Sequence, residues 1–277
     1  MEHRRHAQNR VLVVLGVGVL DVGLEQALVG PALPTIERHY RASPTAGVWV
    51  LTGFLLAAAV AIPLAGRLGD RLGRRRALVW SLGCFAVGSL ICALSASIGV
   101  LVAGRVIQGL GAGLAPLAVA LAREHLARER VPMAVGALVA AGSIGSVAGL
   151  LIAGPLVDHV SVSAIFWLLL AVALILGCLV LGVVPESRER SAERVDVAGA
   201  LLLGAVLGLV TVAISQGDRW GWSSARTLLM FAFAVVAMVG FIARERMAPS
   251  PLLDPRALAL RSVWSANVAM FALASRC

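Results

Sequence analysis

Apolar residues in this chain run in long blocks, broken by short polar stretches in which Arg recurs. Neither the two-residue alternation of a half-buried strand nor the narrow stripe of a surface helix organises them. A helix that crosses roughly 30 Å of hydrocarbon needs about 20 mostly apolar residues. Eight stretches meet that length, at residues 11–36, 46–65, 78–96, 99–121, 132–157, 163–184, 197–215 and 227–243. A ninth begins near Ser262 and reaches Cys277, the last residue of the sequence, before a full crossing. The first stretch follows Arg4, Arg5 and Arg10 as a signal peptide would, but its length and internal acids predict a retained helix. The pattern predicts an all-α integral membrane protein.

Composition agrees. Of 277 residues, 59% are hydrophobic and 14% charged, with a mean hydropathy of +0.90. Soluble domains are nearer half apolar and a quarter charged, and a globule of this size has no way to hide so much apolar surface. A soluble enzyme is excluded, and the lipid bilayer is the expected partner.

Charge then sets the topology. The 24 basic residues, all Arg, outnumber 15 acids and give a net charge of +9. They cluster in the connections, which argues against nucleic acid as a partner. With the N-terminus cytoplasmic, the inner segments hold 18 Arg and the outer segments four, Arg38, Arg41, Arg219 and Arg226. By the positive-inside rule this predicts a multi-pass protein of the cell membrane with a cytoplasmic N-terminus. Trp220 and Trp222 suit an interfacial anchor. Cys84, Cys92, Cys178 and Cys277 show neither metal-site spacing nor a disulfide framework, so no metal is expected.

The inner connection PESRERSAERVD at 185–196, rich in both Arg and acids, separates the first six helices from the later ones. The expected organisation is a six-helix bundle at 1–184, a cytoplasmic linker at 185–196, two central helices with their connections at 197–261, and the start of a second, incomplete bundle at 262–277.

Candidate chemistry begins with Asp21 and Glu25. An ionisable group at membrane depth is costly and by default serves a function. Spacing of i, i+4 puts both carboxylates on one face of the first helix, roughly 15 and 21 Å from its inner end at about 1.5 Å per residue. Two acids so close in a low dielectric suit proton or cation handling; the plainer reading is that they line a wet crevice. Arg105, in LVAGRVIQGLGAG, shares a helix face with Gln108 and Gly109 and sits about 9 Å below its outer end. It either snorkels to the surface or modulates the carboxylates as a permanent positive charge.

Gly66, Arg67, Leu68, Gly69, Asp70, Arg71, Leu72, Gly73, Arg74, Arg75 and Arg76 join the second and third helices. The glycines would form a smooth packing face, and Asp70 with the Arg cluster an ion-pair latch. Alternatively, the Arg run only fixes topology. In the fifth helix, Gly142, Gly145, Gly149 and Ala153 form a small-residue ridge that lets another backbone approach, and Gly154 is expected among the helix-packing glycines. No phosphate-binding loop, metal-ligand cluster or nucleophile–base–acid set appears, so neither an enzyme nor a cofactor is expected.

With these residues in view, the chain resembles the major facilitator superfamily. GRLGDRLGRRR is similar to its signature between helices two and three, where Gly66, Gly69, Asp70, Arg71, Gly73, Arg74 and Arg75 fall. LVAGRVIQGLGAG is similar to its fourth-helix motif, whose Arg, here Arg105, is associated with proton coupling. LEQALVGPALPTI at 24–36 resembles a first-helix segment of the 14-helix drug:proton antiporter branch, with Glu25 at its acidic position. WVLTGFLLA, PESR, DRWGW and the ER…PLL stretch at 245–253 resemble that branch too. The antiporter pattern G-x-x-x-G-P-x-x-G-G maps onto Gly145 through Gly154, with Leu150 in place of Pro and Ala153 in place of one Gly.

The resemblance implies a six-helix bundle built as a 3+3 inverted repeat, two further helices and a truncated ninth. It implies transport by rocking against a second bundle, with Asp70 braced on a helix of that second half. The function implied is efflux, exchanging protons for small hydrophobic or cationic drugs or antibiotics. A truncated, non-transporting membrane protein and a carrier of another solute remain the alternatives.

Overall fold

The computed structural model describes residues 2–186 and 196–247. The expected ninth helix from Ser262, and most of the expected linker at 185–196, lie outside the described residues. Within them the chain is helical, with eight helical spans long and apolar enough to cross a membrane.

The first six spans lie in one compact unit, Met1–Ala192. They are α1 (Glu2–Tyr40), α2 (Pro44–Leu72), α3 (Arg74–Ala93), α4 with α5 (Ile98–Leu110 and Leu114–His125), α6 (Val131–His159) and α7 (Val162–Val183). Ser43, Ser97 and Ser161 start α2, α4 and α7 by accepting from backbone N–H groups of the first turn, which satisfies donors that have no partner within the helix. The fourth span, expected as one helix, is interrupted over 111–113. There Gly111 and Ala112 donate to carbonyls three residues back, 2.8 and 3.0 Å away, a tighter 3₁₀-type turn. Gly111 packs against the backbone of Ser81 and Phe85, so a side chain there would hold α4 off α3.

Helix pairing has an internal symmetry. Within this unit the broadest contacts are α1 with α6, α2 with α4, and α3 with both α4 and α7. Exchanging the first three spans for the second three, in order, carries the α1–α6 contact onto α2–α4 and returns α3–α7 to itself, as a 3+3 repeat requires. Two apolar cores fill the unit, one around Leu15, Leu78, Leu121 and Leu138 and one around Leu28, Ile36, Phe166 and Leu169.

The α1–α6 contact is close because both helices offer small residues there. A Cβ on Gly145 or Gly149 would run into the carbonyl of Leu20 or Leu24, and one on Gly142 would press on Val19. Gly154 does not share this face. It is exposed with no atom within 4 Å of a built Cβ, and Ala153, fully buried, takes the packing position instead.

The segment 66–76, expected to join the second and third helices, is itself almost wholly helical. Helix α2 runs through Leu72 and α3 begins at Arg74, leaving Gly73 alone at φ 100° to turn the chain, a conformation that favours glycine. Gly66, Gly69 and Gly73 do not form one face: Gly66 meets open space, while Gly69 lies against Leu117.

The last two spans belong to a second unit, Glu193–Cys277. Helices α8 (Val197–Trp220) and α9 (Ala225–Met247) form a hairpin. Its turn uses Gly221 at φ 87°, with Trp222 donating to Asp218 at 2.9 Å and Thr227 to the Gly221 carbonyl at 3.0 Å. At the opposite end Asp196 caps α8 by accepting from Gly199 N–H at 3.0 Å and accepts from Arg244 at 3.2 Å.

Candidate functional site: a buried charge cluster within the first unit

Helix α1 carries Asp21 and Glu25 into the interior, 2% and 1% exposed, and α4 brings Arg105, 2% exposed, to meet Glu25. Arg105 does not snorkel. Its Nη1 pairs with Glu25 Oε1 and also donates to Gln108 Oε1 at 2.8 Å. Nε donates to the Val50 carbonyl at 3.1 Å, and the guanidinium lies over the Phe54 ring, 4.4 Å from its centroid. Such a stack is favourable for a desolvated cation. The guanidinium is thus held from α1, α2 and its own helix.

Arrangement of α3 completes the cluster. Gln108 Nε2 donates to Ser89 Oγ at 2.7 Å, and Ser89 Oγ donates to the Phe85 carbonyl at 2.8 Å. Cys92 Sγ lies 3.8 Å from Gln108 Oε1. These helices approach because Gly88 faces Gln108 and Gly104 faces Cys92, with no room for a Cβ at either. Gly109 does the same against Phe54 and Ala57.

Asp21 is placed differently from Glu25. Its Oδ1 is buried without a hydrogen-bond partner among the described residues, as is Glu25 Oε2. A buried carboxylate oxygen with no donor is costly. The cluster therefore offers one carboxylate paired to a fixed cation and a second, four residues away, with bonding capacity unused.

A second, wetter cluster lies at the end of the unit that holds the start of α1. Arg74 reaches Asp70 at 3.6 Å and Glu124 at 3.4 Å and donates to the Ala120 carbonyl at 3.1 Å. Arg75 and Arg76 both reach Glu186, at 3.6 and 3.3 Å, and Arg75 also donates to the Leu181 carbonyl. Arg71 is exposed. These pairs tie α2, α3, α5 and the residues after α7 together.

Sequence reasoning singled out Asp21, Glu25, Arg105 and Asp70 but missed Phe54, Ser89, Glu124 and Glu186. A signal existed for Ser89, since it falls with Phe85 and Cys92 on one face of α3 at helical spacing. None existed for the pairing of Glu124 and Glu186 with the Arg cluster, since their partners lie 50 and 111 residues away. Among the described residues no group of three or more His, Cys, Asp or Glu is placed to hold a metal ion, and Cys84, Cys92 and Cys178 are free thiols.

Comparison with known proteins agrees with this architecture. The chain is 35% identical over 246 residues to the tetracenomycin C resistance and export protein of Streptomyces glaucescens, covering 87% of this chain and 45% of that one. It is 38% identical over 226 residues to a triacylglyceride transporter of Mycolicibacterium hassiacum, covering 76% of this chain and 41% of that one. It therefore spans less than half the length of these relatives. The crystal structure of a peptide transporter POT in complex with sulfate superposes with a TM-score of 0.60 at 12% identity, over 87% of this chain and 52% of that one. That likeness concerns the fold alone. Residues 15–275 match the Major Facilitator Superfamily, so the chain, a multi-pass membrane protein, belongs to that superfamily, a family of transporters of small molecules and not of enzymes.

Proposed function

We propose that this chain supplies the first bundle of an efflux transporter that exchanges protons for small hydrophobic or cationic drugs or antibiotics. The observation that carries the reading is the buried cluster of Arg105, Glu25 and Asp21. Charged side chains in a membrane span are expensive and mark ion or substrate pathways. Glu25 serves as the proton acceptor, Arg105 as the fixed cation that sets how readily Glu25 binds its proton, and Asp21 as a second proton or cation acceptor. The resistance and export protein of Streptomyces glaucescens supports drugs or antibiotics as the cargo.

The orientation proposed has the N-terminus on the cytoplasmic side of the cell membrane. The Arg distribution supports it. So does the bonding of Gln8 to the His125 carbonyl and of Arg130 to Asn9, which gathers Arg-rich segments at one end. There the cluster of Asp70, Arg71, Arg74 and Arg75, on either side of the Gly73 turn, acts as a latch that opens and closes with the transport cycle. The face of Gly142, Gly145 and Gly149 keeps α1, and with it the two acids, seated on α6.

A second reading, a carrier of neutral lipid, is favoured by the triacylglyceride transporter of Mycolicibacterium hassiacum. One experiment separates them. Vesicles bearing the protein of the complete reading frame are given an imposed pH gradient, and uptake of a lipophilic cationic dye is compared with that of labelled triacylglycerol. The efflux reading expects dye movement that collapses with the gradient and is lost in Glu25→Gln. Gradient-driven dye transport that persists in Glu25→Gln removes the assigned role, and movement of triacylglycerol alone supports the second reading.

A further inference from the structure

Side-chain amides look alike at both ends, and a chain of hydrogen bonds decides which end faces which partner. Around Gln108 the choice is forced. Arg105 has only donors, so the amide atom it meets at 2.8 Å must be the oxygen. The amide NH2 then points at Ser89 Oγ, 2.7 Å away. Ser89 has one hydrogen and spends it on the Phe85 carbonyl four residues back, at 2.8 Å, a usual bond for Ser inside a helix. Its Oγ can therefore only accept from Gln108. Donation runs one way, from Arg105 through Gln108 and Ser89 to the α3 backbone, and Gln108 and Ser89 are fully buried.

We propose that Ser89 is a positioning residue: by accepting from Gln108, it turns the amide oxygen toward Arg105 and holds the guanidinium beside Glu25. Both Glu25 Oε1 and Gln108 Oε1 draw on Arg105 Nη1. When Glu25 takes a proton the ionic attraction goes, and Gln108 Oε1, with the Val50 carbonyl and the Phe54 ring, keeps Arg105 in place for the return. Without Ser89 the amide is free to turn its NH2 toward Arg105, setting donor against donor. The role rests on the proposed proton exchange only for its use in transport; the brace itself is a property of α3 and α4.

Few other groups complicate the assignment. The charged groups at Glu25 are Arg105 from α4 and Asp21 from its own helix. Residues 44–66, 77–104, 106–122, 131–157 and 162–185 contain no Asp, Glu, Arg, Lys or His, and Cys92 is the titratable group that α3 adds beside Gln108.

The test uses the protein of the complete reading frame in lipid nanodiscs. The Glu25 carboxyl band, identified by its loss in Glu25→Gln, is titrated by infrared spectroscopy, and gradient-driven dye transport is measured in vesicles. Losing one neutral hydrogen bond corresponds to a displacement of the Glu25 midpoint by about half a pH unit or more in Ser89→Ala. Ser89→Thr, which keeps the acceptor, is expected to restore it. Because the effect passes through Gln108, Ser89→Ala adds nothing in a Gln108→Leu background. The inference is overturned if the band titrates unchanged in Ser89→Ala, or if the displacement is as large with Gln108→Leu as without it. A band that behaves as expected in a protein that moves no dye sinks the exchange reading and leaves the brace standing.

Discussion

The two charge clusters of the first unit use the same residue types and differ in what surrounds them. In the interior pair, Arg105 and Glu25 are 2% and 1% exposed. At the end of the bundle, Arg74 and Asp70 are 30% and 51% exposed. Water screens and partly replaces the second pair, so its formation and loss are nearly balanced. The first has no such substitute, so removing either partner leaves the other buried and unpaired. The inner pair therefore resists separation, whereas the outer network can break and re-form at little cost.

The largest effect should come from leaving one inner partner alone. Arg105→Leu strands Glu25 and frees Gln108, and removal of one member of a buried pair costs about 3–5 kcal/mol. Glu25→Gln should cost less, because Arg105 keeps Gln108, Val50 and Phe54 and the new amide oxygen still accepts. Thermal unfolding in detergent measures both, and equal losses would break the distinction. Next comes the seat of α1. Gly145→Val would push Leu20 and Glu25 away from α6, at about 1–3 kcal/mol for overpacking. Gly154→Ala, on an open face, should fall within about 0.5 kcal/mol. Similar losses in the two variants would disprove the assignment of the packing ridge.

Much of this was legible before any coordinates. Hydrocarbon thickness makes each span a run of apolar residues, and all eight described spans were readable from length alone. Asp21, Glu25 and Arg105 announced themselves by being charged where charge is costly. What the sequence concealed was mostly tertiary. The break over 111–113 depends on α3 pressing against Gly111, and Gly73 carries the whole turn because the helices on either side continue to it. Ser89 was unremarked because Ser is cheap in a membrane helix when it bonds its own backbone, so its place on one face with Phe85 and Cys92 gains meaning only from its contact with Gln108.

Between the two extremes stands Asp196 in the second unit, a nearly buried acid whose partner Arg244 is 52% exposed. Partial desolvation acts to raise its pKa, but the hydrogen bond from Arg244, the N–H groups of Gly199 and Ala198 and the Arg244 charge together hold it below the ordinary value of 3.8. A lowered acid stabilises the fold at pH above its unfolded value, and that contribution is lost as the pH falls through the folded value. The α8–α9 hairpin should therefore keep this contribution down to about pH 4 and lose it below. Asp196→Ala should remove that acid dependence together with about 1 kcal/mol from the cap. Helical content against pH, for wild type and variant, checks it; superposable acid limbs would contradict the assignment.

The smallest expected effect is the most informative about the outer cluster. Asp70→Asn removes one of the acids around Arg74 but leaves Glu124 and the Ala120 carbonyl in place. An exposed pair is worth about 0–1 kcal/mol, and salt at about 1 M shortens the reach of charge to roughly 3 Å. The variant should unfold within about 1 kcal/mol of wild type, with the difference shrinking as salt rises. Transport should nevertheless fall, since a latch is judged by whether its closed and open states differ and not by how much it stabilises either. A large loss of stability insensitive to salt would mean that Asp70 behaves like Glu25, and the contrast between the dry and the wet cluster would fail.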